Sequence, residues 1–191
     1  MYYVIYVGSG NETRAELLIR QMVSKTHFYD CFHPVRNVVK KIHGAERQIY
    51  ERLLPGYVFI ESEDIRSFYQ ELRLVPIFLN LLGKEELEEE TDFYPLTEAE
   101  TLWLKKLIAS SSGSGESDRV IGLSQVGFDE NDQVQVISGP LLGLQGKIKK
   151  INLHKRIAEV EVEFMNTLTV LYLGIEIMEN FAGEKKDNHG L

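Results

Sequence analysis

Apolar positions follow two alternating periods over the first hundred residues. Tyr2-Tyr3-Val4-Ile5-Tyr6-Val7 reads as a strand ended by Gly8-Ser9-Gly10. Ala15, Leu18, Ile19, Met22 and Val23 then share one face of a helix, capped by Asn11 or by a Thr13/Glu16 box. Phe28 to Phe32 predicts a second strand, and Val35 to Ile42 with Arg47 to Tyr50 flank His43-Gly44 as a hairpin projecting from the sheet. The most constrained stretch follows, Leu53-Leu54-Pro55-Gly56-Tyr57-Val58-Phe59-Ile60. Pro55 and Gly56 start a strand abruptly, and its two faces, Tyr57 with Phe59 and Val58 with Ile60, are both apolar. Such a strand is covered on both sides. Ile65, Phe68, Tyr69 and Leu72 stripe a helix that Asp64 begins and Pro76 ends, and Phe78 to Gly83 suggests another strand. Ala99, Leu102, Trp103 and Leu107 form the inward face of a last helix, opened by a Thr97/Glu100 capping box.

The pattern changes after position 108. Ala109-Ser110-Ser111-Ser112-Gly113-Ser114-Gly115-Glu116-Ser117-Asp118 has no apolar period, and a loose Gly/Ser chain over 109–126 would hold its ends about 20 to 25 Å apart. Short strands follow at 133–137, 146–151, 156–164 and 167–173. Ala158, Val160, Val162 and Phe164 alternate there with Glu159, Glu161 and Glu163. The expected fold class is α+β: an antiparallel sheet with flanking helices over 1–108, a flexible linker over 109–126, a small SH3-like β-barrel over 127–183 and a disordered tail over 184–191.

Composition narrows the chemistry. A single cysteine, Cys31, excludes an internal disulfide, and five scattered histidines give no metal-ligand spacing. Cys31 and His33 lie too close along one strand to argue for a nucleophile and its base, so Cys31 reads as a packed thiol. Thr13 stands where a dinucleotide fingerprint needs its third glycine. No enzyme, cofactor or metal is expected. No apolar run approaches a membrane span, which with the strand-like start predicts a cytoplasmic protein without a membrane partner, read as a monomer.

Net charge is −8, so any nucleic-acid contact must come from local clustering. Glu85 to Glu90, with five acids in six positions, predicts an exposed loop that repels nucleic acid. Arg36, Lys40, Lys41 and Arg47 fit a solvated hairpin arm or a nucleic-acid contact. All five cations between 127 and 183 fall at Lys147, Lys149, Lys150, Lys155 and Arg156. Lys147 and Lys149 would alternate on one strand, with Lys155 and Arg156 returning beside them.

Two segments carry a family resemblance. Leu54-Pro55-Gly56-Tyr57-Val58-Phe59-Ile60 resembles the strand signature of the N-terminal (NGN) domain of NusG transcription elongation factors, and Ser138-Gly139-Pro140-Leu141-Leu142-Gly143-Leu144-Gln145-Gly146-Lys147-Ile148 resembles the KOW motif of their barrel. The resemblance covers the chain up to about Asn180. It implies an N-terminal domain that grips RNA polymerase, with Leu54, Pro55 and Tyr57 at the polymerase-facing position, and a barrel that recruits a second partner. Leu141, Leu144, Phe164 and Met165 fall where relatives contact ribosomal or termination proteins, although barrel packing explains Leu141 and Leu144 equally well. The chain lacks the Tyr-Ser-Gly-Tyr-Glu-type opening and the Gly-Gly-Thr segment of housekeeping members. Tyr94 to Glu100 and Gly146 to Ala158 are instead similar to specialised paralogues of the LoaP type, with RfaH and the UpxY capsule regulators more distant.

The expectation is therefore an operon-specific antitermination factor. Lys147, Lys149, Lys150, Lys155 and Arg156 would meet phosphates of a structured leader RNA hairpin, and Asn152, His154 and Arg156 would read unpaired bases. Non-template DNA is the alternative recruiting strand. A housekeeping elongation factor and a ribosome-associated KOW RNA-binding protein remain rival readings.

Overall fold

The computed structural model describes residues 1–86, 91–109, 119–131 and 133–178. The first domain is built on a four-stranded antiparallel sheet. Its strands are β1 (Tyr2–Tyr6), β2 (Asp30–Phe32), β5 (Tyr57–Glu61) and β6 (Asn80–Leu81), in the order β2-β5-β1-β6. Helices α1 (Glu12–Met22) and α2 (Ile65–Leu72) cover one face, burying Tyr3, Ile5, Cys31, Val58 and Ile60 with Ala15, Ile19 and Phe68. The other face presents Val4, Phe32 and Phe59. A hairpin of β3 (Val35–Ile42) and β4 (Ala45–Arg52) leaves the sheet before β5. Further on come the short pair β7 (Lys84–Glu86) and β8 (Thr91–Phe93), then helix α3 (Glu98–Ala109). Most of the acidic run, residues 87–90, lies outside the described residues.

Two helices differ in detail from expectation. Helix α1 starts at Glu12, and the Asn11 side chain makes no cap hydrogen bond; its amide donates to the Val7 carbonyl. Glu16 is not part of a box with Thr13 but pairs with His33 and Arg20. Helix α3 buries Glu100, Trp103, Leu104 and Leu107, whereas Ala99 and Leu102 face solvent. Positions 100, 103, 104 and 107 satisfy the helical repeat once Glu100 is admitted to the stripe.

Glu12 explains how the Pro55-Gly56 turn is held. Its carboxylate is fully buried and accepts the Gly56 N–H at 2.6 Å and the Gly10 N–H at 2.9 Å, with Arg52 at 2.5 Å. Gly56 has φ +92°, and an added Cβ would meet the Tyr6 ring at 3.1 Å and the Ser9 nitrogen at 3.3 Å. Burial alone would raise the pKa of Glu12, but these amide hydrogen bonds and the Arg52 charge bring it below the ordinary value. A carboxyl depressed by folding stabilises above its unfolded pKa and loses that contribution as pH falls through the lower folded value. Glu12→Ala is expected to cost about 2 kcal/mol by leaving buried amides unpaired. Its urea stability should also fall less steeply below about pH 4.3 than that of the unmodified chain. Parallel slopes would exclude this role.

The second domain is a curled five-stranded sheet in the order β11-β10-β14-β13-β12. It comprises β10 (Ser124–Phe128), β11 (Val134–Ser138), β12 (Ile148–Asn152), β13 (Ile157–Phe164) and β14 (Thr167–Ile177), with two 3-10 turns at Pro140–Gly143 and Gln145–Lys147. β14 runs antiparallel to β13 and then parallel to β10. Part of the expected linker is ordered: β9 (Val120–Ile121) pairs in parallel with β3, and β10 begins at Ser124. Residues 110–118 and the expected tail lie outside the described residues.

The two domains share one apolar core. Val4, Phe32, Leu54, Phe59, Trp103, Leu104 and Leu107 pack in the same cluster as Val126, Leu141, Leu144, Val160, Val162 and Phe164. The second face of the β1–β5 sheet is thus covered by α3 and the barrel together.

Candidate functional site

The residues expected to meet polymerase lie at this seam. Leu54 is buried, Pro55 is exposed and Tyr57 is half-buried. The Tyr57 ring lies 5.5 Å from Tyr6 and meets Phe164 of the barrel edge-on at 5.2 Å. Phe164 is also 6.0 Å from Phe59 and 6.2 Å from Trp103, so one barrel side chain fills the gap among three aromatic rings.

Polar groups hold that aromatic contact in register. The Trp103 indole N–H donates to the Glu163 carbonyl at 3.0 Å. Glu100 accepts from the Thr97 N–H and hydroxyl with one oxygen, at 2.7 and 2.8 Å, and from the Met165 N–H with the other, at 2.5 Å. The expected capping box therefore exists, and the same carboxylate grips the turn between β13 and β14. Met165 and Asn166 occupy that turn with φ +50° and +59°. Leu141 and Leu144 are buried in the 3-10 turns beside α3, where Lys106 reaches the Gly143 carbonyl. Leu141, Leu144 and Phe164 are thus all covered in this arrangement, and Met165 is half-buried.

A second line of contact runs along the hairpin. β14 crosses β3 at Gly174, where an added Cβ would fall inside van der Waals contact of the Asn37 carbonyl oxygen and 3.1 Å from Val38 Cα. Arg36 donates to the Tyr172 carbonyl and to Glu51, and lies 5.6 Å from the Tyr172 ring centre. Lys40 also pairs with Glu51, and this lysine, with Arg36, holds the Glu51 carboxyl below its ordinary pKa. Two of the four hairpin cations therefore share one carboxylate, and the hairpin is a bracket against the barrel rather than a free arm.

The barrel's cations are less uniform than their spacing suggested. Lys147 sits in a 3-10 turn, and a register shift between Ile148 and Lys150 lets both Lys149 and Lys150 point outward. Lys149 bonds Glu161 across the strands at 2.8 Å. Arg156, with φ +53°, reaches Glu46 of the hairpin at 2.9 Å. His154 is exposed, and Asn152 accepts the Lys155 N–H at 2.9 Å, closing the turn. Among the described residues no carboxylate lies within ion-pair distance of Lys147, Lys150 or Lys155, all of them exposed. Of the expected cluster, Lys149 and Arg156 are already engaged by carboxylates.

Glu100, Trp103, Gly174 and Glu46 were not singled out as contact residues from the sequence. Gly174 carried a signal, since an isolated glycine inside a strand marks close backbone approach. Elsewhere, burial pushes the Cys31 thiol far above its usual pKa, which makes it unreactive. Among the described residues there is no group of three metal-ligating side chains, and no helix long and apolar enough to cross a membrane.

A sheet domain and a small curled barrel meeting through one apolar core define a two-domain protein of the α+β class. The family described as "Transcription termination factor nusG" matches residues 1–102, and the KOW motif matches residues 130–163. The first match spans more than half of the chain, which belongs to the NusG family of transcription factors, proteins that are not enzymes. The chain is 22% identical over 176 residues to the transcription termination/antitermination protein NusG of Haemophilus influenzae, covering 90% of this chain and 89% of that one. The protein of the same name from Pseudomonas aeruginosa is 21% identical over 182 residues, covering 93% and 97%. That from Streptomyces coelicolor is 25% identical over 189 residues, covering 92% of this chain but 61% of the longer relative. A solved structure described as "Domain interaction in Thermotoga maritima NusG" aligns with a TM-score of 0.47 at 21% identity, covering 91% and 92% of the two chains.

Proposed function

We propose that this NusG-family protein is a cytoplasmic, operon-specific processive antitermination factor. Its N-terminal domain binds RNA polymerase through the Leu54-Pro55-Tyr57 turn, and its barrel binds a structured leader RNA. The observation that carries the RNA half is the exposed trio Lys147, Lys150 and Lys155, which has no carboxylate partner among the described residues of a chain with net charge −8. Cations left unneutralised in an acidic protein suit a polyanion. Asn152 and His154 lie between them on the β12–β13 hairpin, within reach of unpaired bases. The polymerase half rests on Tyr57, an aromatic with a polar tip, which meets the barrel at Phe164, the last residue of β13. On this reading the barrel leaves the seam before polymerase is engaged.

The test is a titration of the full chain with the leader RNA of its neighbouring operon against a scrambled hairpin at 150 mM salt. Selective binding is expected, with a log–log salt slope of about −2 to −3 if three cations contact phosphate and nearer −4 if Lys149 and Arg156 join them. Lys147→Ala/Lys150→Ala/Lys155→Ala should flatten the slope by about the same 2 to 3. Equal affinity for both RNAs would instead favour the housekeeping reading.

A further inference from the structure

Between the shared core and the barrel, the chain is fastened a second time, immediately before β10. Val120 and Ile121 pair with Val35 and Arg36, and the Val35 N–H donates to the Arg119 carbonyl at 3.1 Å. Ile121 is fully buried. The Arg119 side chain forms an ion pair with Asp30 on β2 and lies 4.5 Å from the centre of the Phe32 ring. Asp30 is itself tied to Arg20 of α1 at 2.8 Å. Every one of these partners belongs to the N-terminal domain. The barrel's own strands begin at Ser124, which leaves Gly122 and Leu123 between the two.

We propose that Arg119 and β9 form a clip that stays with the N-terminal domain when the barrel departs, making Gly122-Leu123 the working hinge in place of the Ser/Gly tether. Most contacts that hold the barrel differ from those that hold the clip, and the two sets meet at Arg36, which pairs with Ile121 and donates to the Tyr172 carbonyl, and at Ile121 in the shared core. The barrel is held by Phe164, by the crossing of β14 at Gly174, and by the Glu46–Arg156 pair. The clip is held by edge pairing to β3, by Asp30 and by the Phe32 ring. Two extended residues reach at most about 7 Å, so the barrel pivots beside the hairpin rather than drifting on a long leash. Gly122 suits that duty, because an added Cβ would meet nothing within 4 Å and the residue has the widest backbone freedom. This inference rests on the functional reading for the departure of the barrel, but it holds whatever the barrel binds.

The experiment uses spin labels at Leu17→Cys on α1 and Leu168→Cys on β14, both exposed positions, in the full chain; the buried Cys31 stays unlabelled. Opening is imposed by Phe164→Ala with Arg156→Glu, which breaks the pair with Glu46 and leaves the hinge residues untouched, and distances are measured by double electron–electron resonance. In that background the mean distance should change while its distribution stays narrow. Six Gly/Ser residues inserted between Gly122 and Leu123 should widen it by roughly 10 Å, and the same insertion between Gly113 and Ser114 should leave it unchanged. Slow hydrogen exchange of the Val35 amide should persist throughout. Equal widening by both insertions, rapid Val35 exchange on opening, or an opened background with unchanged distances would each overturn the proposal.

Discussion

Gly174→Val is expected to separate the barrel from the hairpin. The added side chain would collide with the Asn37 carbonyl oxygen and Val38 Cα, which are backbone atoms of β3, and with Leu123 Cδ2 at 2.6 Å. Neither strand can yield locally. β3 is locked to β4 along its whole length, and β14 is locked to β13 from Thr167 to Gly174. Overpacking in a rigid site costs about 1 to 3 kcal/mol or more, and parting the two domains relieves all of it. Trp103, the only tryptophan, reports the event, because it is 2% exposed and its cover comes partly from Phe164. Its emission should shift to the red and acrylamide quenching should rise severalfold, while the far-ultraviolet circular dichroism stays that of a folded protein. A Trp103 that remains shielded in Gly174→Val would mean the crossing does not hold the seam.

Phe164→Ala removes the wedge itself. The ring sits among Tyr57, Phe59 and Trp103, and truncating a buried phenylalanine costs about 3 to 5 kcal/mol. If most of that falls on the seam, the closed state loses roughly a hundredfold in population relative to the open one. If Tyr57 contacts RNA polymerase as proposed, apparent affinity rises in proportion to its exposed fraction, and binding should tighten at least tenfold when closure dominates beforehand. Tyr57→Ala in the same background should abolish the gain. The barrel must remain folded in the variant, which its own unfolding transition reveals. Unchanged polymerase affinity with an intact barrel would detach Tyr57 from the polymerase contact.

Most secondary structure was legible because it obeys a local period. β5, β13 and α2 lie where alternation and the helical stripe place them, since each buries a regular set of apolar residues whichever domain supplies the neighbour. Helix α3 was misread by one position of its stripe because Glu100, a charged residue, occupies a buried site for the sake of Thr97 and Met165. No pattern of hydrophobicity announces a buried carboxylate. β9 escaped for a related reason: two residues hold no period, and its partner lies far back in the chain at Val35. The cationic cluster was visible in composition, yet its pairing with Glu46 and Glu161 depends on register and on domain docking, which spacing alone does not encode. The double coverage of the β1–β5 sheet was anticipated from Tyr57-Val58-Phe59-Ile60, although the barrel shares the covering of one face with α3.

The long return of β14 to β3 also sets an order of events on the ribosome. Arg36 and the Tyr172 carbonyl it holds are 136 residues apart. At a synthesis rate of about 5 to 20 residues per second, that interval lasts roughly 7 to 27 s. For most of it, from the synthesis of Tyr57 to that of Phe164, no barrel ring is there to cover Tyr57. Each newly made molecule therefore passes through a period in which Tyr57 lacks its barrel partner before it can close, and a partner already nearby meets the open form first.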